Sequence, residues 1–195
     1  MARPEDRSAQ AVRLLRTIRL DPSDRFVFPV AAEPGEWAVT GTFLFWGRPI
    51  DQLEGKDRAA FRSGFVGVES LGFSTLVVVE EIREDEHRAA VEALARHIHS
   101  HLGAPTLDAA TAAAAEELAF AASLADHDIG TLVAMHRLFE KGEIHEQYRT
   151  LKPRERTLGA DGLHAQARAF TFHEMVDDEA PEERVDLIGM MGPKP

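Results

Sequence analysis

The chain has 195 residues, 44% hydrophobic and 28% charged, with a net charge of -11 from 22 basic and 33 acidic side chains. That length suits one well-buried core, and so negative a surface repels phosphate backbones, so no nucleic-acid partner is expected. The absence of cysteine excludes disulfides, thiolate metal sites, iron–sulfur ligation and cysteine nucleophiles, and suits a reducing cytoplasm.

Residues 1–10 are charged and have no apolar core, so they are read as a frayed terminus and not as a signal peptide. From Val12 to Leu20 apolar Leu14, Ile18 and Leu20 recur near period two, which predicts a strand. Asp21-Pro22-Ser23-Asp24 is a turn with proline at its favoured second position. Arg25 to Ala31 reads as a second strand with Phe26, Phe28 and Val30 on one side, and Pro29 places it at an edge or strand end. After Pro34-Gly35, a longer strand from Trp37 to Trp46 is apolar on both sides and is expected to be central.

Residues 47–55 form a loop. A helix is predicted from Asp57 to about Val68 and a strand from Phe73 to Ile82. Val91, Leu94, Ile98 and Leu102 form the stripe of a helix over Asp85–Leu102, which acids open and Gly103 and Pro105 close. An alanine-rich helix follows over Leu107–Asp126, with Leu118, Ala121, Leu124 and Ala125 as its buried side.

Thr131 to Leu151 reads as one long antiparallel hairpin reversing at Lys141-Gly142, where the glycine takes a positive φ. Counting outward pairs Phe139 with Ile144, Arg137 with Glu146, Met135 with Tyr148 and Val133 with Thr150 on one face. The other face pairs Leu138 with His145 and His136 with Gln147, and a slip of one residue destroys every match. Residues 153–163 are read as a loop, Ala165–Met175 as a strand, Asp177–Glu183 as an acidic turn and Arg184–Met190 as a last short strand. Strands outnumber helices, and most connections suit antiparallel pairing. The expected fold is α+β, a largely antiparallel curved sheet with two or three helices packed on one face. Residues 11–190 make one domain, and 191–195 are a C-terminal tail.

Most motifs fail on spacing. His145-Glu146 and His173-Glu174 lack the second histidine of the helical zinc-protease signature, since Arg149 and Asp177 stand there. Gly55-Lys56 lacks the leading glycine and the Ser/Thr of a phosphate loop, and Ser70 lacks the preceding glycine of a nucleophile elbow. His97 and His101 are one helical turn apart, so both imidazoles can reach one metal ion. Histidines at the margin of an amphipathic helix are more commonly half-exposed polar residues. A metal would also need a third ligand, for which His127 with Asp126 and Asp128 is nearest in sequence. The basic run Arg149, Lys152, Arg154 and Arg156 suits a phosphate or acidic partner, or internal pairing with Asp177–Glu183. No run of apolar residues approaches the roughly 18 that a membrane span requires.

Trp37–Trp46, Gly64-Phe65-Val66-Gly67 through Gly72-Phe73-Ser74-Thr75, and Met135–Phe139 with Tyr148–Leu151 together resemble a small family of uncharacterised proteobacterial proteins, a domain of unknown function. The resemblance spans about residues 13–190 and implies a single bacterial domain, with no activity to carry over. The functional expectation is a non-catalytic, cytoplasmic accessory or assembly factor without a cofactor, acting through a protein partner or as a homodimer. An exposed hairpin edge or the alanine-rich helix would be the contact. The rival is a small-molecule-binding protein or metal-dependent enzyme whose pocket lies between sheet and helices, with His97 and His101 as ligands.

Overall fold

Leu14 and Leu15 are neighbours in β1 (Arg13–Thr17) and point to opposite faces, yet both are fully buried, so the sheet is covered on both sides at its centre. The computed structural model describes residues 12–153 and 173–176. In chain order β1 is followed by α1 (Asp24–Val27), β2 (Trp37–Val39), α2 (Gly55–Ser63), β3 (Phe65–Gly67), β4 (Phe73–Ser74) and β5 (Leu76–Glu81). Then come α3 (Glu84–His101), α4 (Leu107–Ser123), β6 (Leu132–Glu140), β7 (Glu143–Pro153) and β8 (His173–Val176). The sheet order is β4-β3-β2-β1-β5-β6-β7-β8, and every neighbouring pair is antiparallel. The α+β class with a curved antiparallel sheet is as expected.

Curvature follows from Thr75. It is the only residue between β4 and β5, yet β4 pairs with β3 whereas β5 pairs with β1. The strand expected over Phe73–Ile82 is therefore one bent strand whose two ends border the β1–β3 unit on opposite sides. Asp24 holds the bend by accepting from the Thr75 hydroxyl at 2.6 Å and from its N–H at 3.3 Å.

Leu15, Val77, Val79 and Val133 share one face through directly opposed ladder positions. α4 covers that face, burying Ala110, Ala114, Leu118 and Ala121, and α3 stacks upon α4. Small side chains let the helix approach the sheet closely. On the other face Phe73 gathers Phe28 and Phe45, with ring centroids at 5.8 and 6.2 Å.

Two predicted strands are different in the structure. Arg25–Ala31 is not a strand: Asp24–Val27 forms one helical turn, and of the alternating apolar residues only Phe28 is buried, with Phe26 and Val30 exposed. Proline at the turn and Asp24 anchored to Thr75 favour the coiled start over extension. The strand expected over Trp37–Trp46 ends at Val39, because Gly41 takes φ +78° and starts a 3₁₀ turn over Thr42–Phe45. A Cβ at Gly41 would lie 2.1 Å from Val66 Cγ2, so glycine is required twice over, for conformation and for space. The helix predicted over Asp57–Val68 ends at Ser63, and Phe65–Gly67 is strand instead.

The hairpin has the predicted register throughout, from Val133↔Thr150 to Glu140↔Glu143. Lys141 joins Gly142 at positive φ (54° and 86°), the geometry of a type I′ reversal. Of the strand expected over Ala165–Met175, residues 173–175 belong to β8, which runs on to Val176, and the rest lies outside the described residues. The frayed terminus, the 154–163 part of the predicted loop, the Asp177–Glu183 turn, the Arg184–Met190 strand and the tail also lie outside them.

Candidate functional site

β5 pairs with β6 only from Leu132 to Ala134, so beyond Ala134 the β6–β7 hairpin continues as a two-stranded ribbon lying against α2. Strand alternation turns Met135 and Arg137 to one side of this ribbon, opposite Tyr148 and Glu146. Arg137 has no exposed surface. Its Nε donates to Glu146 Oε1 at 2.7 Å and to Thr42 Oγ1 at 3.0 Å. Nη1 donates to the carbonyls of Phe61 and Gly64 at 3.0 and 3.2 Å, and Nη2 donates to the Thr40 carbonyl. The Phe61 carbonyl belongs to the last turn of α2 and Gly64 is that helix's C-cap, where acceptors lack intrahelical donors and a cation is favoured. Arg137 thus ties the hairpin to the end of α2 and to the end of β2.

Glu146 completes the cluster. It accepts from Arg137, from the Thr42 hydroxyl and from Tyr148 Oη at 2.6 Å. Burial pushes this carboxyl up, but the bonds from Thr42, Tyr148 and Arg137 outweigh it and hold Glu146 below the usual carboxylate range. Burial lowers Arg137 from its ordinary value, opposed by its bond to Glu146. Tyr148 lies between Phe65 and Phe120, at centroid distances of 6.4 and 6.3 Å, and burial with the Glu146 bond raises its phenol.

Glu117 of α4 borders the same charges. Burial raises its carboxyl to about 7, the negative charge of Glu146 adds to this, and Arg137 partly opposes it. The cluster therefore contains a locked ion pair, a phenol whose proton is held by a carboxylate, and one acid that exchanges its proton near neutrality. It can take up and release a proton, whereas every nitrogen of Arg137 is already engaged, leaving no fork for an incoming anion.

The predicted histidines come together as a pair. The rings of His97 and His101 are stacked with centroids 5.7 Å apart, and His97 Nε2 lies 2.8 Å from the Glu69 carbonyl, which assigns the proton to that nitrogen. Among the described residues no group of three or more His, Asp or Glu side chains is arranged to hold a metal ion. His127 is instead tied through its carbonyl to Arg13 Nη1 at 2.8 Å. Ser70 donates to buried Glu36 Oε1 at 2.8 Å and accepts from the Gly72 N–H, while Glu36 Oε2 accepts from the Ser70 N–H at 2.9 Å, a clamp that closes the loop.

The sequence paired Arg137 with Glu146 but gave no sign of their burial. Thr42 and Glu117 were missed. For Glu117 a signal existed: it sits three residues after Ala114 and one before Leu118, an acid beside the small-residue stripe by which α4 packs.

A family model described as a family of unknown function (DUF6505) matches residues 12–169. Comparison with curated proteins and with solved structures gave no match.

Proposed function

The chain belongs to the family of unknown function DUF6505, and since membership brings no activity with it, we propose from its surface that it is a non-catalytic accessory protein acting through protein–protein contact. The observation that carries this reading is the exposure of large apolar side chains outside the two long helices. Phe26 and Trp46 are each 73% exposed, and Leu20, Val27 and Val30 are exposed in the same stretch as Phe26. Exposed aromatic and aliphatic side chains of this kind are the usual anchors of an interface.

The alanine-rich helix is a poorer contact than its sequence suggested, because α3 and the sheet already take up its stripe. The hairpin edges are also partly used, β6 lying against α2 and the end of β7 against β8. The contact surface is accordingly assigned to the segment from Leu20 to Val30 and to Trp46. Its partner is a second copy of the chain or another protein of the cytoplasm, the compartment that a cysteine-free composition favours.

Size-exclusion chromatography with light scattering tests this on the full chain, beside F26S and W46S variants. A dimer that becomes monomeric in either variant supports self-association. Where wild type is monomeric, cross-linking in lysate supports the reading if specific adducts vanish in the variants. A monomer with an identical adduct pattern in all three proteins overturns it.

For the metal version of the rival reading, His97 and His101 are near one another, with ring centroids 5.7 Å apart; imidazole nitrogens bind in the ring plane, so the stacked rings would have to turn toward a shared ion.

A further inference from the structure

In a chain with three acidic residues for every two basic ones, positive groups converge on the ribbon face opposite Arg137. His136 of β6 and Arg149 of β7 lie diagonally on that face, one ladder step apart. Arg62 reaches it from the last turn of α2, with Nη2 3.2 Å from His136 Nε2. Among the described residues no carboxylate lies within ion-pair distance of Arg62, and its side-chain hydrogen bond goes to this imidazole.

Among the described residues the other charged groups nearby are placed elsewhere. Asp57 of α2 pairs with Arg48 at 3.5 Å, and Glu80 of β5 pairs with Arg16 at 2.8 Å. Glu140 and Glu143 share the ribbon face but sit at the turn, beyond the Leu138–His145 pair, about 14 Å along the strands from His136. Lys56 and Arg58 add further positive charge to α2. Burial, followed by the charges of Arg62 and Arg149, pushes the His136 imidazole down from its ordinary value.

We propose that Arg62 and His136, with the positive charge of Arg149 beside them, form a binding site for a phosphoryl or similar tetrahedral dianion. In the anion-free protein neutral His136 accepts from Arg62 through Nε2. A dianion seated between them accepts from the guanidinium and from Nε2 at once, and its two negative charges favour the imidazolium over the neutral Nε2–H tautomer, so His136 takes up a proton from solvent. Anion and proton therefore bind together, each raising the affinity for the other. Charge-assisted bonds from the Arg62 guanidinium and the His136 imidazolium match the acceptor-rich shape of such a group. The site uses none of the exposed apolar side chains of the Leu20–Val30 segment or Trp46, so it does not depend on the partner reading.

Histidine Cε1–H resonances, with His136 assigned by its loss in H136Q, are followed over pH in a cationic buffer with sulfate, inorganic phosphate or glycerol phosphate. The expected result is a rise of about one unit in the His136 midpoint with dianion, a tenfold coupling, and no rise in R62A. A stronger response to glycerol phosphate than to phosphate supports a phosphorylated organic ligand, and the reverse supports free phosphate. A midpoint unmoved by all three anions overturns the proposal. So does a rise equal in R62A, or one reproduced by chloride at the same ionic strength.

Discussion

Arg137 and Glu146 face one another across the hairpin ladder and bond at 2.7 Å, the first fully buried and the second partly so. Such a pair costs desolvation on both sides, and its geometry recovers that cost only because Thr42, Tyr148 and three backbone carbonyls satisfy the remaining donors and acceptors. Removing one member leaves the other buried and unpaired.

R137M should therefore lose about 3–5 kcal/mol in urea unfolding. The double variant R137M/E146L should regain most of that loss, because no uncompensated charge is left. A double variant as unstable as R137M would show that the carbonyl bonds, and not the ion pair, carry the cost.

Glu117 titrates at about 7 when folded, against 4.5 as its reference value. Between those values the folded state binds the extra proton, so its contribution falls as pH rises through the window and is fully unfavourable above 7. E117Q should match wild type near pH 4 and exceed it by about 1–2 kcal/mol at pH 8, the full linkage being reduced for partial exposure. Equal differences at both pH values would contradict this.

Y148F keeps the ring between Phe65 and Phe120 but removes a bond to ionised Glu146. A loss of about 1–2 kcal/mol at neutral pH is expected. The depressed carboxyl contributes stability above its unfolded value that is lost as pH falls through its folded one. With one holding bond gone, acid unfolding of Y148F should begin at higher pH than in wild type, followed by circular dichroism.

Gly41 and Gly142 both have positive φ, but a Cβ at Gly41 meets Val66 whereas one at Gly142 meets nothing within 4 Å. G142A should cost about 1–2 kcal/mol for backbone strain alone. G41A should cost about 2–4 kcal/mol, strain and overpacking together. Thermal melts of the two variants make the comparison.

Elemental analysis of purified protein, with H97A and H101A melts, decides the metal version of the site. Bound metal lost in both variants would support it. Metal-free protein and unchanged melting would end it.

The hairpin was legible because its evidence is local: nine cross-strand pairs follow from one turn. Both long helices were legible from their periodicity and stops, although of the stripe expected for α3 only Leu94 and Ile98 are buried, Val91 being half-buried and Leu102 exposed. The short elements were not, because tertiary contacts decide them. Phe26, Phe28 and Val30 alternate like a strand, but Asp24 is claimed by Thr75, fifty-one residues away. Gly41 interrupts an apolar run that pattern alone extends to Trp46. The burial of Arg137 was invisible for a related reason: its partners Thr40, Phe61 and Gly64 act through backbone carbonyls, which every residue type carries.

β1 lies in mid-sheet between β2 and β5. During synthesis on a ribosome β2 can pair with it early, but its second edge stays open until Leu76–Glu81 has emerged. Leu14 and Leu15 are meanwhile presented to other nascent chains, so the vulnerable interval spans about a third of translation, and slow translation through residues 40–75 would favour aggregation over native assembly.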